Sequence, residues 1–173
     1  MEFDYVVVGA GSAGCAVASR LSQCGNYRVA LVEAGPPDNN PWIHVPVGYF
    51  STMGNPKSDW RYETQPDTGI AGRSIPWPRG RVMGGSSSIN GLLYVRGQPQ
   101  DFDIWSQLGC MGWSWDEVLP YFKRSENWDG IDETGLRGKE GPLSVQSSRL
   151  KRDIVDNWVD AAVAAGYQRN YDY

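Results

Sequence analysis

The feature that most constrains the fold is a glycine-rich turn near the amino terminus. It follows an apolar run at residues 5–8, which predicts a short strand buried on both faces. Three glycines come next in G-x-G-x-x-G spacing: Gly9, Gly11 and Gly14. An alanine-rich amphipathic helix is then expected to about Cys24, where Gly25 provides a stop signal. The pattern is typical of the first half of an α/β dinucleotide-binding unit.

Each position of this turn has a mechanical reason. Gly9 permits the sharp strand-to-helix turn, Gly11 allows a pyrophosphate to approach the backbone, and Gly14 allows the helix to pack closely on the strand. Ser12 and Ala13 belong to the amino terminus of the helix, where free N–H groups and the positive end of the dipole favour an anion. The turn therefore predicts a phosphate-binding site.

A second apolar run, RVALVEAG, carries an acid at its end. Glu33 lies 19 residues after Gly14, with Ala34 beside it. A carboxylate at this position can accept hydrogen bonds from both hydroxyls of an adenosine ribose, and it would repel a 2′-phosphate. The residues therefore favour a dinucleotide other than NADP.

Composition narrows the class of protein further. The chain has 173 residues, enough for one domain or for one domain and part of another. Its net charge is −4 without any basic run, which argues against nucleic acid as a partner. It contains no apolar run of membrane-spanning length and no basic segment ahead of its first apolar run, so neither a membrane span nor a secretory signal is expected.

The cysteines point to a reducing compartment. There are three of them, an odd number, and they lack the spacing of metal ligands: Cys15, Cys24 and Cys110. Reduced thiols in a cytoplasmic protein are the simpler interpretation, with no metal site expected.

A second stretch, GRVMGGSSSINGLLYVRG at residues 80–97, is almost bare of large side chains in its middle. A flexible linker would be polar on both sides. This stretch is flanked instead by apolar residues, namely Trp77, Val82, Met83, Ile89, Leu92, Leu93 and Tyr94. It therefore belongs inside a folded domain, where a large flat ligand could lie against the backbone.

This stretch resembles the first signature of the glucose–methanol–choline (GMC) flavin oxidoreductases. The matching positions are Gly80, Arg81, Gly84, Gly85, Ser86, Ser87, Ile89, Asn90, Tyr94, Gly97 and Asp103. Three further segments also look like the family's amino-terminal portion: residues 33–35, 112–126 and 164–168. The resemblance covers nearly the whole chain.

The resemblance implies FAD as cofactor, laid along residues 81–92 from Arg81 and Val82 onward. By position, Gly84, Gly85 and Ser86 would line its pyrophosphate and ribityl parts, while a second group would lie along the flavin edge: Asn90, Gly91 and Leu92. Ile89 occupies the place where some family members carry a histidine linked covalently to the flavin, so non-covalent binding is expected. A structural turn is the alternative role for Asn90.

The implied fold is α/β, a Rossmann-like FAD-binding fold that is incomplete in this chain because later strands and most of the substrate domain are absent. Four segments are expected: a dinucleotide-binding start at residues 1–35, an extended connection over the flavin at 36–79, the signature segment with following helices at 80–145, and a helix leading toward the substrate domain at 146–173.

Several residues outside the two glycine-rich segments also have expected roles. Trp60 is either a wall of the site or a core aromatic. His44, the one histidine, is expected to be structural, because the family's catalytic histidine comes later. Ser114 to Glu117 has capping-box spacing, so a helix begins there, and Pro120 is expected to restart it with Tyr121 and Phe122 inward.

A last amphipathic helix is expected to pack in the core. Its apolar positions are Leu150, Ile154, Val155, Trp158, Val159, Ala162 and Val163, with Gly166 as a stop.

By resemblance, the family oxidises an alcohol by passing a hydride to flavin N5 while a histidine removes the hydroxyl proton. That histidine lies beyond Tyr173, so this chain contributes no catalytic residue, and a complementary carboxyl-terminal polypeptide is expected. A nucleotide-binding fragment or module without turnover is the alternative, and an NAD-linked Rossmann enzyme is disfavoured by the signature.

Overall fold

The structure is a computed structural model, which describes residues 2–132, 134–149 and 151–170. It divides into two compact units, residues 1–93 and residues 94–173. Leu150 and residues 171–173 lie outside the described part of the chain. The four-segment division expected from the sequence stays a prediction.

The first unit begins with the expected strand–turn–helix–strand. β1 spans Tyr5–Val8, α1 spans Ser12–Gln23 and β2 spans Val29–Val32. The two strands are parallel, with Tyr5 opposite Val29 and Val8 opposite Val32. A parallel pair needs a crossover, which α1 supplies. Gly25 follows α1 at a φ of +70°, a conformation that glycine adopts without strain, so the predicted stop is confirmed.

The expectation that β1 is buried on both faces is wrong for this chain. Val6 is 61% exposed and Val8 is 82% exposed. Within the residues that the structure describes, the sheet holds two strands and α1 packs against them. The apolar composition of β1 is typical of a strand inside a larger sheet, and here its outer face meets water.

The connection after β2 is built from short elements, in keeping with its lack of periodicity. One-turn 3₁₀ helices occupy Pro41–Ile43 and Pro46–Gly48, and α2 spans Tyr49–Thr52. β3 (Tyr62–Glu63) pairs antiparallel with β4 (Pro76–Trp77). Two further 3₁₀ turns span Thr68–Ile70 and Gly85–Ser88.

A buried carboxylate organises this connection. Asp59 is 3% exposed and accepts hydrogen bonds from the N–H groups of Gly54 at 2.7 Å, Arg61 at 2.9 Å and Arg79 at 2.9 Å. These donors come from both sides of the β3–β4 hairpin. Because a buried acid needs such partners, Asp59 ties the two ends of the hairpin together.

In its described residues, the second unit contains three helices and a pair of short strands. α3 spans Pro99–Gln107, α4 spans Trp115–Ser125 and α5 spans Asp153–Ala164. β5 (Glu126–Trp128) and β6 (Leu143–Val145) pair in parallel.

The start of α4 is as predicted, but its interior is not. The Ser114 N–H donates to Glu117 Oε2 at 3.1 Å, which is the reciprocal half of a capping box. The helix does not restart at Pro120; it runs through that residue, since a proline φ suits a helix and only one N–H bond is lost. Tyr121 is 62% exposed, so its predicted inward position is wrong. Phe122 does point inward, with its ring 5.6 Å from that of Phe102.

The last helix forms where predicted and ends before Gly166, which has a φ of +98°. Its expected core packing is wrong for this chain. Ile154 is 74% exposed and Trp158 is 73% exposed. The apolar stripe of α5 therefore faces water instead of packing against another element of the described chain.

Few side chains are fully enclosed. The buried apolar residues among those described are Ala10, Ala18, Val82, Ile89, Phe102 and Val145. No helix in the described part of the chain has the length and apolar character needed to cross a bilayer.

Candidate dinucleotide site

The first turn has the geometry that its glycines predict. Gly9 has a φ of +92°, which a residue with a side chain rarely adopts. A Cβ added at Gly14 would lie 1.9 Å from the carbonyl oxygen of Gly9. The turn therefore depends on glycine for backbone conformation at one position and for close helix–strand contact at the other.

The structure brings the signature segment onto this turn. The Gly84 N–H donates to the carbonyl oxygen of Ala10 at 2.8 Å. A Cβ added at Gly85, whose φ is +59°, would lie 2.8 Å from the Cα of Gly11. Two glycine-rich segments far apart in sequence thus form one surface, named here the glycine cradle: residues 9–14 and 84–88.

Contacts between backbones explain part of the missing side-chain volume. A Cβ at Gly80 would lie 2.0 Å from the carbonyl oxygen of Gly85. A Cβ at Gly35 would lie 2.2 Å from the carbonyl of Arg81, and the Met83 N–H donates to the Pro36 carbonyl at 2.9 Å. The segment lacks large side chains partly because its backbone packs against other backbone. This cause adds to the ligand expected from the sequence.

Glu33 lies at the end of β2 and joins the cradle through its carboxylate. Oε2 accepts the Ala10 N–H at 2.7 Å, and Oε1 accepts the Gly35 N–H at 2.9 Å. Ala10 in turn accepts the Gly84 N–H, so an acid, the first turn and the signature form a continuous chain of hydrogen bonds. Each carboxylate oxygen can accept a second hydrogen bond, which leaves capacity for a ribose hydroxyl.

The polar side chains of the signature also serve its own loops. Ser86 Oγ accepts the Gly80 N–H at 3.1 Å. Asn90 Oδ1 accepts the Leu92 N–H at 2.9 Å, and Leu92 has a φ of +61°. This is the turn role that the sequence left open for Asn90. Gly91 beside it is open, with no atom within 4 Å of an added Cβ.

Val82 and Ile89 have buried side chains that pack in the core, and the cofactor contact predicted for Val82 stays a prediction. Val82 is 1% exposed and Ile89 is 3% exposed. Their side chains anchor the two ends of the signature's glycine run. A buried aliphatic side chain at position 89 has no nucleophile to offer a flavin.

Arg81 and Trp60 lie together on another side of the signature. The guanidinium of Arg81 lies over the Trp60 ring, 5.4 Å from its centroid, and Nη2 donates to the Pro56 carbonyl at 3.0 Å. Trp60 is 43% exposed and stacks on Tyr62 with ring centroids 6.0 Å apart. This partial exposure does not fit a fully buried core aromatic, and the role of Trp60 as a wall of the site stays a prediction.

The remaining sequence candidates are not at the cradle. The side chain of His44 is 59% exposed, and its Nε2 bonds the Asp38 carbonyl at 2.7 Å. Two buried acids, Asp59 and Glu126, have no signal in the sequence pattern. Asp59 was hidden in an irregular segment. Glu126 is 0% exposed in the second unit, and it pairs with Arg96, with Arg137 at 2.9 Å and with the Gly138 N–H at 2.9 Å.

The cradle fits the diphosphate of a dinucleotide. Apart from its chain neighbours, a Cβ added at Gly11 would meet no atom closer than the Gly85 Cα at 4.0 Å, so the space before the helix is open. The first-turn N–H groups of α1, at Ser12 and Ala13, have no partners inside the helix and are donors for an anion. Open space and donors at this one place, with the Glu33 carboxylate bonded to the same turn, are what an adenine dinucleotide requires. The fold and this site together define a dinucleotide-binding domain of the Rossmann-like class.

Comparison with known proteins narrows the class to a family. The GMC oxidoreductase family profile matches residues 3–172. An oxygen-dependent choline dehydrogenase from Brucella anthropi is 46% identical over 173 residues, which is 100% of this chain and 31% of that protein. The chain therefore belongs to the GMC oxidoreductase family.

Solved structures agree with this assignment. Pyridoxine 4-oxidase from Mesorbium loti superposes with a TM-score of 0.89 at 37% identity, covering 98% of this chain and 33% of that one. A formate oxidase from Aspergillus oryzae RIB40, a variant whose FAD modification was followed, gives 0.84 at 32% identity over 95% and 30%. The family is FAD-dependent, and this chain contains its FAD-binding amino-terminal domain. The chain spans about a third of the length of these relatives.

Proposed function

We propose that this chain supplies the FAD-binding part of an enzyme that oxidises an alcohol to a carbonyl compound by hydride transfer to flavin N5. The observation that carries the proposal is the glycine cradle, in which the signature packs directly on the dinucleotide turn through the Gly84–Ala10 hydrogen bond of 2.8 Å. When bound, FAD supplies the hydride acceptor.

The residues of the cradle would divide the work of holding the cofactor. The N–H groups of Ser12 and Ala13 would receive the diphosphate, with Gly11 leaving the space for it. Glu33 would accept hydrogen bonds from the ribose, beside Ala34, with its carboxylate already oriented by the Ala10 and Gly35 N–H groups. Because these bonds exist before any ligand arrives, little reorganisation is needed on binding.

The signature would hold the rest of the cofactor. Gly84, Gly85 and Ser86 would line the ribityl and diphosphate parts, and the turn fixed by Asn90 would present residues 90–92 along the flavin edge. The buried Ile89, at 3% exposure, supports non-covalent attachment.

We also propose that the catalytic histidine and the rest of the substrate pocket come from a carboxyl-terminal portion that the longer relatives have. Two surfaces support this: the outer face of β1, where Val8 is 82% exposed, and the apolar stripe of α5, where Trp158 is 73% exposed. Apolar areas of this kind are typical of surfaces that another part of a protein covers.

The substrate class is proposed as a small alcohol. The relatives include choline dehydrogenases, which makes choline one candidate. Aryl alcohols, aliphatic alcohols, polyols and sugars are others, and oxygen, a quinone or a dye could accept the electrons. The free thiols of Cys15, Cys24 and Cys110 fit a cytoplasmic location, which is part of this proposal.

Flavin spectroscopy tests the function in two steps. The chain is purified together with the carboxyl-terminal portion, and visible absorbance reports bound flavin. Anaerobic addition of choline and of benzyl alcohol in separate samples should then bleach that absorbance if either is a substrate. Absence of bound flavin would contradict the cofactor assignment, whereas bound flavin that no alcohol bleaches would contradict the proposed oxidation.

A non-catalytic FAD-binding module is the second candidate for the chain taken alone. His44 is the one histidine in the sequence, and its exposed ring bonds a main-chain carbonyl. No general base of the expected type is therefore available to this chain without a partner. Retained flavin in the isolated chain, without turnover, would favour this function.

A further inference from the structure

A pocket in the first unit is lined by residues that do not belong to the glycine cradle. Its volume is about 370 Å³, and its lining residues are Pro56, Asp59, Trp60, Arg61 and Arg81. A pocket of this size is large enough for a small organic group or an inorganic anion. Its charge and the state of its hydrogen-bonding groups indicate what it can hold.

The acid in the pocket is already committed to the backbone. Burial opposes the ionisation of Asp59, but the N–H groups of Arg61, Gly54 and Arg79, helped by the charge of Arg61, outweigh it and lower the pKa of the carboxyl. Asp59 is therefore ionised at neutral pH, with its oxygens directed at three N–H donors.

The two arginines have donors to spare. Arg81 gives one Nη2 hydrogen bond, to the Pro56 carbonyl, and forms no ion pair with an acid in the described chain. Its Nε is buried and has no hydrogen-bond partner among the described residues, so the guanidinium is held against Trp60 at a cost in desolvation. Arg61 likewise forms no side-chain hydrogen bond among the residues described. With two cations and one committed acid, the pocket has an excess positive charge.

The backbone shows that Arg61 is placed there at an energetic cost. Its φ is +56°, a left-handed conformation that residues other than glycine seldom adopt, and Asp59 holds it through the Arg61 N–H at 2.9 Å. Strained residues held by their surroundings are concentrated at functional sites. The Asp59 carboxylate therefore also holds the backbone of Arg61 in this conformation.

We propose that this pocket binds an oxyanion, a carboxylate or a phosphate group, between the guanidinium groups of Arg61 and Arg81, with the Trp60 ring holding the Arg81 guanidinium in place. Arginine is suited to this role because its planar fork donates paired hydrogen bonds to oxyanions. The cradle already accounts for the diphosphate of the flavin cofactor, so the oxyanion bound here belongs to a second small molecule. The site does not depend on the proposed alcohol oxidation.

Calorimetric titration with inorganic phosphate, at constant ionic strength set by sodium chloride, tests the site in the full chain. Saturable binding is expected, and Arg61→Gln and Arg81→Gln should each weaken it by roughly tenfold or more. Arg61→Lys, which keeps the charge, should retain more affinity than Arg61→Gln. Arg73→Gln is the matched control, because Arg73 lies on the β3–β4 hairpin outside the pocket and its Nε bonds Ile70.

A second titration with saturating FAD present separates this pocket from the cradle. Retained phosphate binding supports the oxyanion site, whereas loss of phosphate binding would place the phosphate at the cofactor's diphosphate position and overturn it. Lack of saturable binding, or equal weakening by Arg61→Gln and Arg73→Gln, would overturn it. Circular dichroism of each variant separates loss of the site from loss of the fold.

Discussion

In the first unit, Glu33 and Asp59 accept hydrogen bonds from main-chain N–H groups, whereas in the second unit Glu126 accepts them from two arginine side chains and one N–H. An acid bonded to main chain fixes the course of a loop and leaves nearby cations available. An acid bonded to arginines uses up their charge. For these three acids, the difference leaves arginines of the first unit available to a ligand, whereas Glu126 neutralises two arginines within the second unit.

The largest expected effect on stability comes from removing the carboxylate of Glu126, which pairs with Arg96 and Arg137. Glu126→Ala leaves Arg96 and Arg137 beside an empty, fully buried position, and we expect a loss of about 3–5 kcal/mol in the free energy of unfolding. Chemical denaturation followed by circular dichroism measures it. Glu140→Ala, at an exposed acid in the connection between β5 and β6, is the control and should change stability little. Equal losses in the free energy of unfolding for Glu126→Ala and Glu140→Ala would contradict the structural role of Glu126.

Asp59→Ala should have the next largest effect, because three N–H groups lose their acceptor at a buried site. We expect a loss of about 2–3 kcal/mol in the free energy of unfolding. Asp67→Ala is the control, since Asp67 is exposed and accepts one side-chain hydrogen bond, from the Gly69 N–H at 2.7 Å. A loss no larger than that of the control would show that the hairpin does not depend on Asp59.

The same residue predicts a pH dependence. The pKa of Asp59 in the folded chain is lowered from 3.8, so its contribution is complete above that value and is lost as the pH falls through the lower, folded pKa. Unfolding measured between neutral and strongly acidic pH should show a smaller acid loss in Asp59→Ala than in the unchanged protein. An identical profile would contradict this linkage.

A pair of glycine variants separates folding from cofactor binding in the cradle. Gly14→Ala brings a Cβ to 1.9 Å from the Gly9 oxygen, and the loss in stability should be about 1–3 kcal/mol despite the better helix propensity of alanine. Gly11→Ala meets no close atom, so its stability should change by less than about 0.5 kcal/mol. Its affinity for FAD should fall roughly tenfold or more, because the methyl group enters the proposed diphosphate space.

Fluorescence quenching of added FAD gives the affinity for this pair, and denaturation gives the stability. Unchanged FAD affinity in Gly11→Ala would place the diphosphate elsewhere. Gly84→Leu is a poorer test, because Gly84 has a φ of +91° and its added Cβ would lie 2.2 Å from Ser88 Oγ, so the loop itself would be disturbed.

Glu33→Gln should have the smallest effect of the series. The amide keeps one acceptor oxygen but directs an NH₂ group at the N–H of Ala10 or Gly35, and FAD binding should weaken by about 1–2 kcal/mol. The same FAD titration measures this change. An effect on stability as large as that of Glu126→Ala would mean that the main-chain bonds of Glu33 dominate over any role in binding.

Local features of this fold could be predicted from sequence because their causes are local. The strand–turn–helix of residues 5–23, the stop at Gly25 and the capping box at Ser114 depend on neighbours within a few residues. The position of Glu33 at the end of β2 follows from the length of the helix between the strands. These predictions are confirmed.

Features that depend on distant partners could not be predicted in this way. The contact of Gly85 with Gly11 requires two segments to meet in space. The pairing of Glu126 with Arg96 and Arg137 leaves no periodic pattern in the sequence from which it could be predicted. The burial of β1 and α5 was wrong for a related reason: apolar patterns indicate which face seeks cover, not whether this chain supplies the cover.

The hydrogen bond from Gly84 to Ala10 has a consequence for how the protein matures. It closes a loop of roughly 70 residues, an entropic penalty met only once the intervening connection has collapsed. Until this loop closes, the turn after β1 forms one side of the proposed cofactor site, and residues 84–88, which form the other side, are not yet in place. Flavin should therefore bind late in folding, and the appearance of flavin absorbance would time the moment at which the two glycine-rich segments of the cradle meet.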